Sequence, residues 1–297
     1  MAPEPSGEAL RRVLPEAEFL VVRTPLPADL LAMPHQLRGI VRHGTGLDMI
    51  PVAAATRQGI PVANVPGANA QAVAEYVVGS FFQLARRFSA LDHTLRKAGW
   101  PASRKLSENA IELAGRTVGI IGVGYIGSRI ARICDAGLGM TVLGYQPRTT
   151  DFPEYVRSVQ IDELLAQSDF VTLNCPLLPD TRHLIDARRI GLMKRTAFLV
   201  NAARGEIVDE NVLATALREH AIAGAAVDVY AEQPLAPSHP FLTLDNVLLT
   251  PHAASLTRES GRQMSVGTAR RLLQLMKGER PLNLVNPEVW ATWPYRL

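Results

Sequence analysis

The sequence predicts an α/β protein in two parts, a doubly wound parallel sheet inserted into a smaller α/β unit. Three observations predict it. Six short apolar, β-rich runs in the middle of the chain are joined by stretches with helical spacing, three similar runs precede them, and one long helical stretch follows them. Runs that are apolar on both sides and joined by helices indicate parallel strands covered on both faces. Length agrees, because 297 residues exceed what one core of ordinary size usually serves.

In chain order, Phe19 to Val22, Gly39 to Val41 and Ile60 to Val62 read as strands of the smaller unit. Asn69 to Arg86 reads as a long helix with Asn69 as its cap. The larger unit follows with strands at Thr117 to Ile121, Thr141 to Tyr145, Phe170 to Asn174, Ala197 to Val200, Gly224 to Val229 and Val247 to Leu249. Between its first two strands, Ile126, Ile130, Ile133 and Cys134 fall at i, i+4, i+7 and i+8, which is one face of a helix. After Pro251-His252, Thr257 to Lys277 is helical and is stopped by Gly278 and Pro281. The expected division is therefore 1–88 with 259–297 for the smaller unit and 89–258 for the larger.

Composition removes several classes of function. The charges are 31 basic against 28 acidic, a net +3, and no run of like charge exceeds a pair such as Arg86-Arg87, so no nucleic-acid footprint is expected. Two cysteines, Cys134 and Cys175, form no Cys-x-x-Cys and no disulfide framework, and no metal site is expected. The first residues lack a basic and an apolar signal region, and nowhere do about 18 apolar residues run together. A cytoplasmic protein without a membrane span is the expectation.

Chemistry begins at Gly122-Val123-Gly124-Tyr125-Ile126-Gly127, between a strand and an amphipathic helix. Gly122 permits a tight turn, Gly124 lets the backbone approach a pyrophosphate, and Gly127 lets helix and strand pack closely. This pattern in this context is the fingerprint of a Rossmann dinucleotide site. The next strand ends in Gln146-Pro147-Arg148-Thr149-Thr150 with no acid before Asp151. Gln146 lacks the charge that would repel a 2'-phosphate and Arg148 can pair with one, so NADP is favoured over NAD.

In an open parallel sheet the ligand lies beyond the carboxyl ends of the strands. Those ends carry Cys175-Pro176, Asn201-Ala202-Ala203-Arg204-Gly205, Asp228 and Pro251-His252. Together with Arg42-His43-Gly44-Thr45-Gly46-Leu47-Asp48 and Asn64-Val65-Pro66-Gly67-Ala68-Asn69, they make the chain resemble the D-isomer-specific 2-hydroxyacid dehydrogenase family over nearly its whole length. That family holds D-lactate, D-glycerate and 3-phosphoglycerate dehydrogenases and glyoxylate/hydroxypyruvate reductases. The resemblance implies a Rossmann domain inserted into a smaller flavodoxin-like substrate domain, and hydride transfer between a nicotinamide cofactor, NADP or NAD, and a small 2-oxo or 2-hydroxy acid.

It further implies that Arg204 anchors the substrate carboxylate and that His252 is the acid/base. Both roles suit the residues, since a guanidinium grips a carboxylate while polarising the adjacent carbonyl and an imidazole titrates near neutrality. By the same resemblance the Thr45 and Gly46 amides meet the substrate carboxylate and Asp228 meets the nicotinamide amide. Tyr125 and Ile126 lie at the pyrophosphate, with Pro176, Thr181 and Ala202 along the cofactor. The helix from Asn69 to Arg86 is implied to bury a homodimer interface. Arg42 is a further candidate, for a second anionic group on the substrate.

Two departures stand out. The family places a glutamate five residues after the aspartate, and here that place holds Gln233. A glutamine oxygen still orients an imidazole but gives imidazolium no full opposite charge. The second departure is that roughly 40 residues, one strand and helix by ordinary lengths, are expected before Glu8 and are not there. An alternative activity on the same fold is a dinucleotide-sensing, corepressor-like binding protein, disfavoured by the intact Arg204 and His252.

Overall fold

The computed structural model describes residues 7–27, 29–147 and 151–297. It falls into two units, one made of Met1–Asn69 with Leu256–Leu297 and one of Ala70–Ser255.

In the first unit, helix α1 (Gly7–Val13) precedes strands β1 (Phe19–Val22) and β2 (Gly39–Arg42), then helix α2 (Val52–Arg57) and β3 (Val62–Ala63). The three strands pair in parallel in the order β1-β2-β3. β3 begins at Val62 rather than Ile60. Pro61 has no N–H to give a ladder, although its carbonyl accepts from Ile40 N at 2.9 Å. Leu14, Leu30, Ile40 and Val62 are wholly enclosed in this unit's core.

The second unit opens with α3 (Ala70–Arg86) and α4 (Phe88–Leu106). The boundary expected after residue 88 lies after residue 69, and the physical reason is burial. Val73, Ala74, Val77 and Phe81 on α3 share one apolar cluster with Ile120, Val200 and Ala226 of the larger sheet and with Ile130 of the helix Gly127–Arg132. Phe81 packs at 5.1 Å from the Phe170 ring, which stacks at 5.3 Å on Phe198. The second boundary moves likewise, from 258 to 255. α4 has no counterpart in the sequence reading. It buries only Ser103 and bends at Gly99 (φ 78°), so it shows no clean apolar stripe.

The sheet of this unit comprises β4 (Thr117–Ile121), β5 (Thr141–Tyr145), β6 (Val156–Ser158), β7 (Phe170–Leu173), β8 (Phe198–Asn201), β9 (Gly224–Val227) and β10 (Val247–Leu249). All pairings are parallel, in the order β10-β9-β8-β7-β4-β5-β6. The chain starts at β4, steps outward to β6, then crosses back to β7 and runs to the other edge. β4 and β7 are neighbours, so the order reverses between them, and in such sheets ligands bind beyond the carboxyl ends at that point. β6 is an addition to the sequence reading, a three-residue edge strand with Arg157 and Ser158 exposed.

Helix α5 (Gly127–Arg132) follows β4 and continues as a π turn over Ile133–Gly137. The last helix, α6 (Arg258–Met276), returns to the first unit, and Thr257 Oγ1 caps it by accepting from Ser260 N at 3.0 Å. α6 packs on β2 where Gly39 leaves room, since a Cβ there would stand 2.8 Å from Leu275.

Candidate active site

The glycine turn is built by close approach. A Cβ on Gly122 (φ 95°) would stand 2.8 Å from the Asn174 carbonyl carbon and from Cys175 N, and one on Gly127 would stand 2.2 Å from Gly122 O. A Cβ on Gly124 would meet nothing within 4 Å. The outer two glycines therefore bring β4, α5 and the end of β7 together, while the middle one leaves its backbone open to a ligand. These residues fit a dinucleotide pyrophosphate.

Around this turn Tyr125 is exposed and Ile126 half-buried. Beyond β7, Thr181 Oγ1 donates to Pro176 O at 2.7 Å and accepts from Leu178 N at 2.7 Å, which ties the Pro176–Thr181 segment into a closed turn. Gln146, just past β5, and Ala202, just past β8, are half-buried. Arg148, with Thr149 and Thr150, lies outside the described residues.

Arg204 sits on the loop after β8, and Asn201 shapes that loop. Asn201 is 2% exposed, its Oδ1 accepts from Ala203 N at 3.1 Å and its Nδ2 donates to Arg204 O at 2.9 Å. Gly205 then presses against the segment after β9, where a Cβ would stand 2.0 Å from the Tyr230 carbonyl carbon and 2.2 Å from Ala231 N. The guanidinium of Arg204 donates through Nη1 to Ala203 O at 2.6 Å.

His252 is held from Asp228, which is fully buried. The Asp228 carbonyl accepts from His252 N at 2.7 Å, and its carboxylate accepts from Ala253 N at 2.8 Å, Ala254 N at 2.9 Å and Thr250 Oγ1 at 2.5 Å. This set fixes His252 in a left-handed backbone (φ 54°) that residues with a Cβ seldom adopt. Asp228, expected at the nicotinamide amide, is thus also the anchor of the histidine turn. Thr250 donates to Asp228, so the Tyr76 hydroxyl, 2.7 Å from Thr250 Oγ1, donates in turn. Tyr230 closes the other side by donating to Val227 O at 3.1 Å and Thr250 O at 3.0 Å. Burial keeps both phenols protonated, raising Tyr76 and pushing Tyr230 up to about 12.

On the imidazole, Nδ1 lies 2.9 Å from Gln233 Oε1, and Gln233 Nε2 donates to Tyr230 O at 3.1 Å. With its nitrogen committed to a carbonyl, the amide turns its oxygen to the ring, so Nδ1 carries the hydrogen.

The first unit has its own candidate residues, on the loop after β2. Thr45 and Gly46 turn their carbonyls into the protein, toward Asn64 Nδ2 at 2.8 Å and Arg42 Nε at 3.1 Å. Among the described residues neither amide donates a hydrogen bond, an arrangement that suits an anionic oxygen. Arg42 is 8% exposed, and it donates to Val22 O at 2.9 Å, His43 O at 2.8 Å and Gly46 O at 3.1 Å, so its guanidinium shapes this loop. Beside it, burial and then the charge of Arg23 lower the pKa of His43.

Sequence reasoning missed Tyr76 and Tyr230 as parts of the site, and it named Asn201 at a strand end without giving it a role. Asn201 has a local signal, a buried amide at a strand end ahead of the key arginine. Tyr76 has none, since it lies 174 positions from Thr250 in the chain. Among the described residues no group of three His, Cys, Asp or Glu side chains could hold a metal ion, and no helix is long and apolar enough to cross a membrane.

The chain compares closely with known proteins. Residues 78–254 match the model of the D-isomer specific 2-hydroxyacid dehydrogenase NAD binding domain. The chain is 39% identical over 284 residues to a glyoxylate reductase of Aeropyrum pernix, spanning 92% of this chain and 84% of that protein. It is 38% identical over 285 residues to a D-3-phosphoglycerate dehydrogenase of Methanocaldococcus jannaschii, spanning 94% of this chain but 53% of that protein. Among solved structures, D-lactate dehydrogenase from Aquifex aeolicus complexed with NAD and lactic acid superposes with a TM-score of 0.85 at 30% identity, covering 93% of this chain and 89% of that one.

Proposed function

The chain belongs to the D-isomer specific 2-hydroxyacid dehydrogenase family, and from that premise we propose which residues carry its reaction and which acids it takes. It is an oxidoreductase acting between a nicotinamide cofactor and a small 2-oxo or 2-hydroxy acid. When bound, the nicotinamide supplies or accepts the hydride. The chain's own residues do the rest.

Arg204 grips the substrate carboxylate and polarises the neighbouring carbonyl. His252 delivers a proton to the carbonyl oxygen in reduction and recovers it in oxidation. Gln233 holds the imidazole in one tautomer, and Asp228 holds the turn that carries it. The Thr45 and Gly46 amides keep their expected part as donors to a carboxylate. Gly122, Gly124, Tyr125, Ile126 and Gly127 take the pyrophosphate, Pro176, Thr181 and Ala202 line the cofactor, and Asp228 accepts from its amide. The one observation that carries this reading is the His252–Gln233 pair, seated by Asp228 at the same carboxyl rim as Arg204.

Three finer points belong to the proposal. NADP is preferred over NAD because Gln146 puts no acid at the ribose. Short, unphosphorylated acids such as glyoxylate and hydroxypyruvate are preferred over a phosphoglycerate skeleton, because Arg42 is spent on main-chain carbonyls. The protein is a cytoplasmic homodimer, in keeping with two free cysteines. The test is a matrix of glyoxylate, hydroxypyruvate, pyruvate and phosphohydroxypyruvate against NADH and NADPH. Highest kcat/KM for a short acid with NADPH is expected. Turnover of none of the four would refute the activity, and a preference for phosphohydroxypyruvate would refute the substrate class.

A further inference from the structure

Asp228 carries its carboxylate inside the larger unit, fully buried, just past the end of β9. Three groups donate into it: Thr250 Oγ1 at 2.5 Å, Ala253 N at 2.8 Å and Ala254 N at 2.9 Å. The two amides belong to the histidine turn and hold its shape. The hydroxyl differs, because its one hydrogen goes to Asp228 and the Tyr76 phenol, 2.7 Å away, must therefore donate to it. Burial, and the charge of Asp228 besides, raise the pKa of that phenol, so Tyr76 keeps the hydrogen it donates. Its place is fixed by packing, since α3 lies against β8, β9 and β10.

A hydroxyl that accepts one hydrogen bond gives a stronger one, and a stronger donor takes up more of the charge of the carboxylate it binds. The charge that remains acts on whatever faces it. On the reading above that is the nicotinamide end of the cofactor, whose ring is a cation when oxidised and neutral when reduced. A buried carboxylate with no such damping would hold the oxidised form the more tightly, because attraction between opposite charges is poorly screened there. Reduction of a 2-oxo acid leaves the oxidised form behind. It has to depart before the next turnover.

We propose that Tyr76, acting through Thr250, is a positioning residue that tempers the charge of Asp228 and so sets how the site divides its affinity between the oxidised and the reduced dinucleotide. Its contribution favours reduction, by loosening the oxidised product. The inference rests on the placement of Asp228 at the nicotinamide given above.

The test is fluorescence titration with NADPH and its displacement by NADP+, repeated with NADH and NAD+, so that no turnover enters the readout. Tyr76→Phe is expected to lower the ratio of the oxidised to the reduced Kd about threefold, with the oxidised form gaining. Thr250→Val should lower it at least as far, Thr250→Ser should keep the wild-type ratio, and Asp228→Asn should raise it. Tyr76→Phe and Thr250→Val remove neither amide bond of the histidine turn, so both variants retain that turn. A looser fold alone would weaken both forms together and leave the ratio where it was. An unchanged or raised ratio in Tyr76→Phe, with Asp228→Asn raising it, would overturn the inference and leave Asp228 at the nicotinamide. An unchanged ratio in Asp228→Asn would overturn both.

Discussion

At His252 the backbone takes a conformation that costs free energy for any residue with a Cβ, and hydrogen bonds to Asp228 compensate for it. That places the ring. What the ring can hold is a separate matter, and Gln233 Oε1, 2.9 Å from Nδ1, bears on it. On the proposed mechanism His252 is imidazolium in carbonyl reduction, so activity is present below its pKa and is lost as pH rises through it. A carboxylate would raise that pKa, and kcat for glyoxylate reduction should therefore persist to higher pH in Gln233→Glu than in the wild type. Overlapping alkaline limbs in the two pH profiles would count against the pairing. The position was legible in the sequence through the family resemblance, which places an acid five residues after Asp228. The orientation of the amide was not, because it depends on the Tyr230 carbonyl.

Among the elements, the loop after β8 and the segment after β9 lie closer than a side chain permits. Gly205→Ala would insert a methyl group 2.0 Å from the Tyr230 carbonyl carbon, against backbone that cannot rotate away. The expected result is a loss of about 1–3 kcal/mol in stability by overpacking. A fall in kcat/KM should accompany it, because Arg204 and Gln233 flank the contact; denaturant melts and steady-state kinetics on one preparation measure both. At the opposite ends of the strands, Asp169 joins β4 to the segment before β8. Its carboxylate accepts from Thr117 N at 2.9 Å and from Lys194 at 2.9 Å. Burial alone would raise its pKa, but these two bonds and the charge of Arg116 hold it below the usual carboxylate value. A lowered folded pKa gives stability that is complete above the unfolded pKa and lost as pH falls through the folded one. Asp169→Asn should therefore cost about 1 kcal/mol at pH 7, with screening allowed for, and the gap from wild type should close below about pH 4. Urea titrations at pH 7 and pH 3 check the sign; a gap that widens in acid would contradict it.

For the whole molecule, the homodimer proposal is the simplest to test, since light scattering should report twice the 32.3 kDa chain mass and a monomer would refute it. The sequence by itself determined where most strands fall along the chain, the glycine turn and the residues at the strand ends, because these follow from local periodicity and from the backbone freedom of glycine. By resemblance it also pointed to Arg204 and His252 as parts of one chemistry. Only the tertiary structure decided that α3 belongs with the larger sheet, that Arg42 turns inward, and that Tyr76, Thr250 and Asp228 form one chain of hydrogen bonds. The physical reason is separation. Groups 20 to 174 positions apart meet only when sheet order and helix packing bring them together, and nothing in the local spacing of a segment encodes which distant carbonyl or hydroxyl its side chains will find.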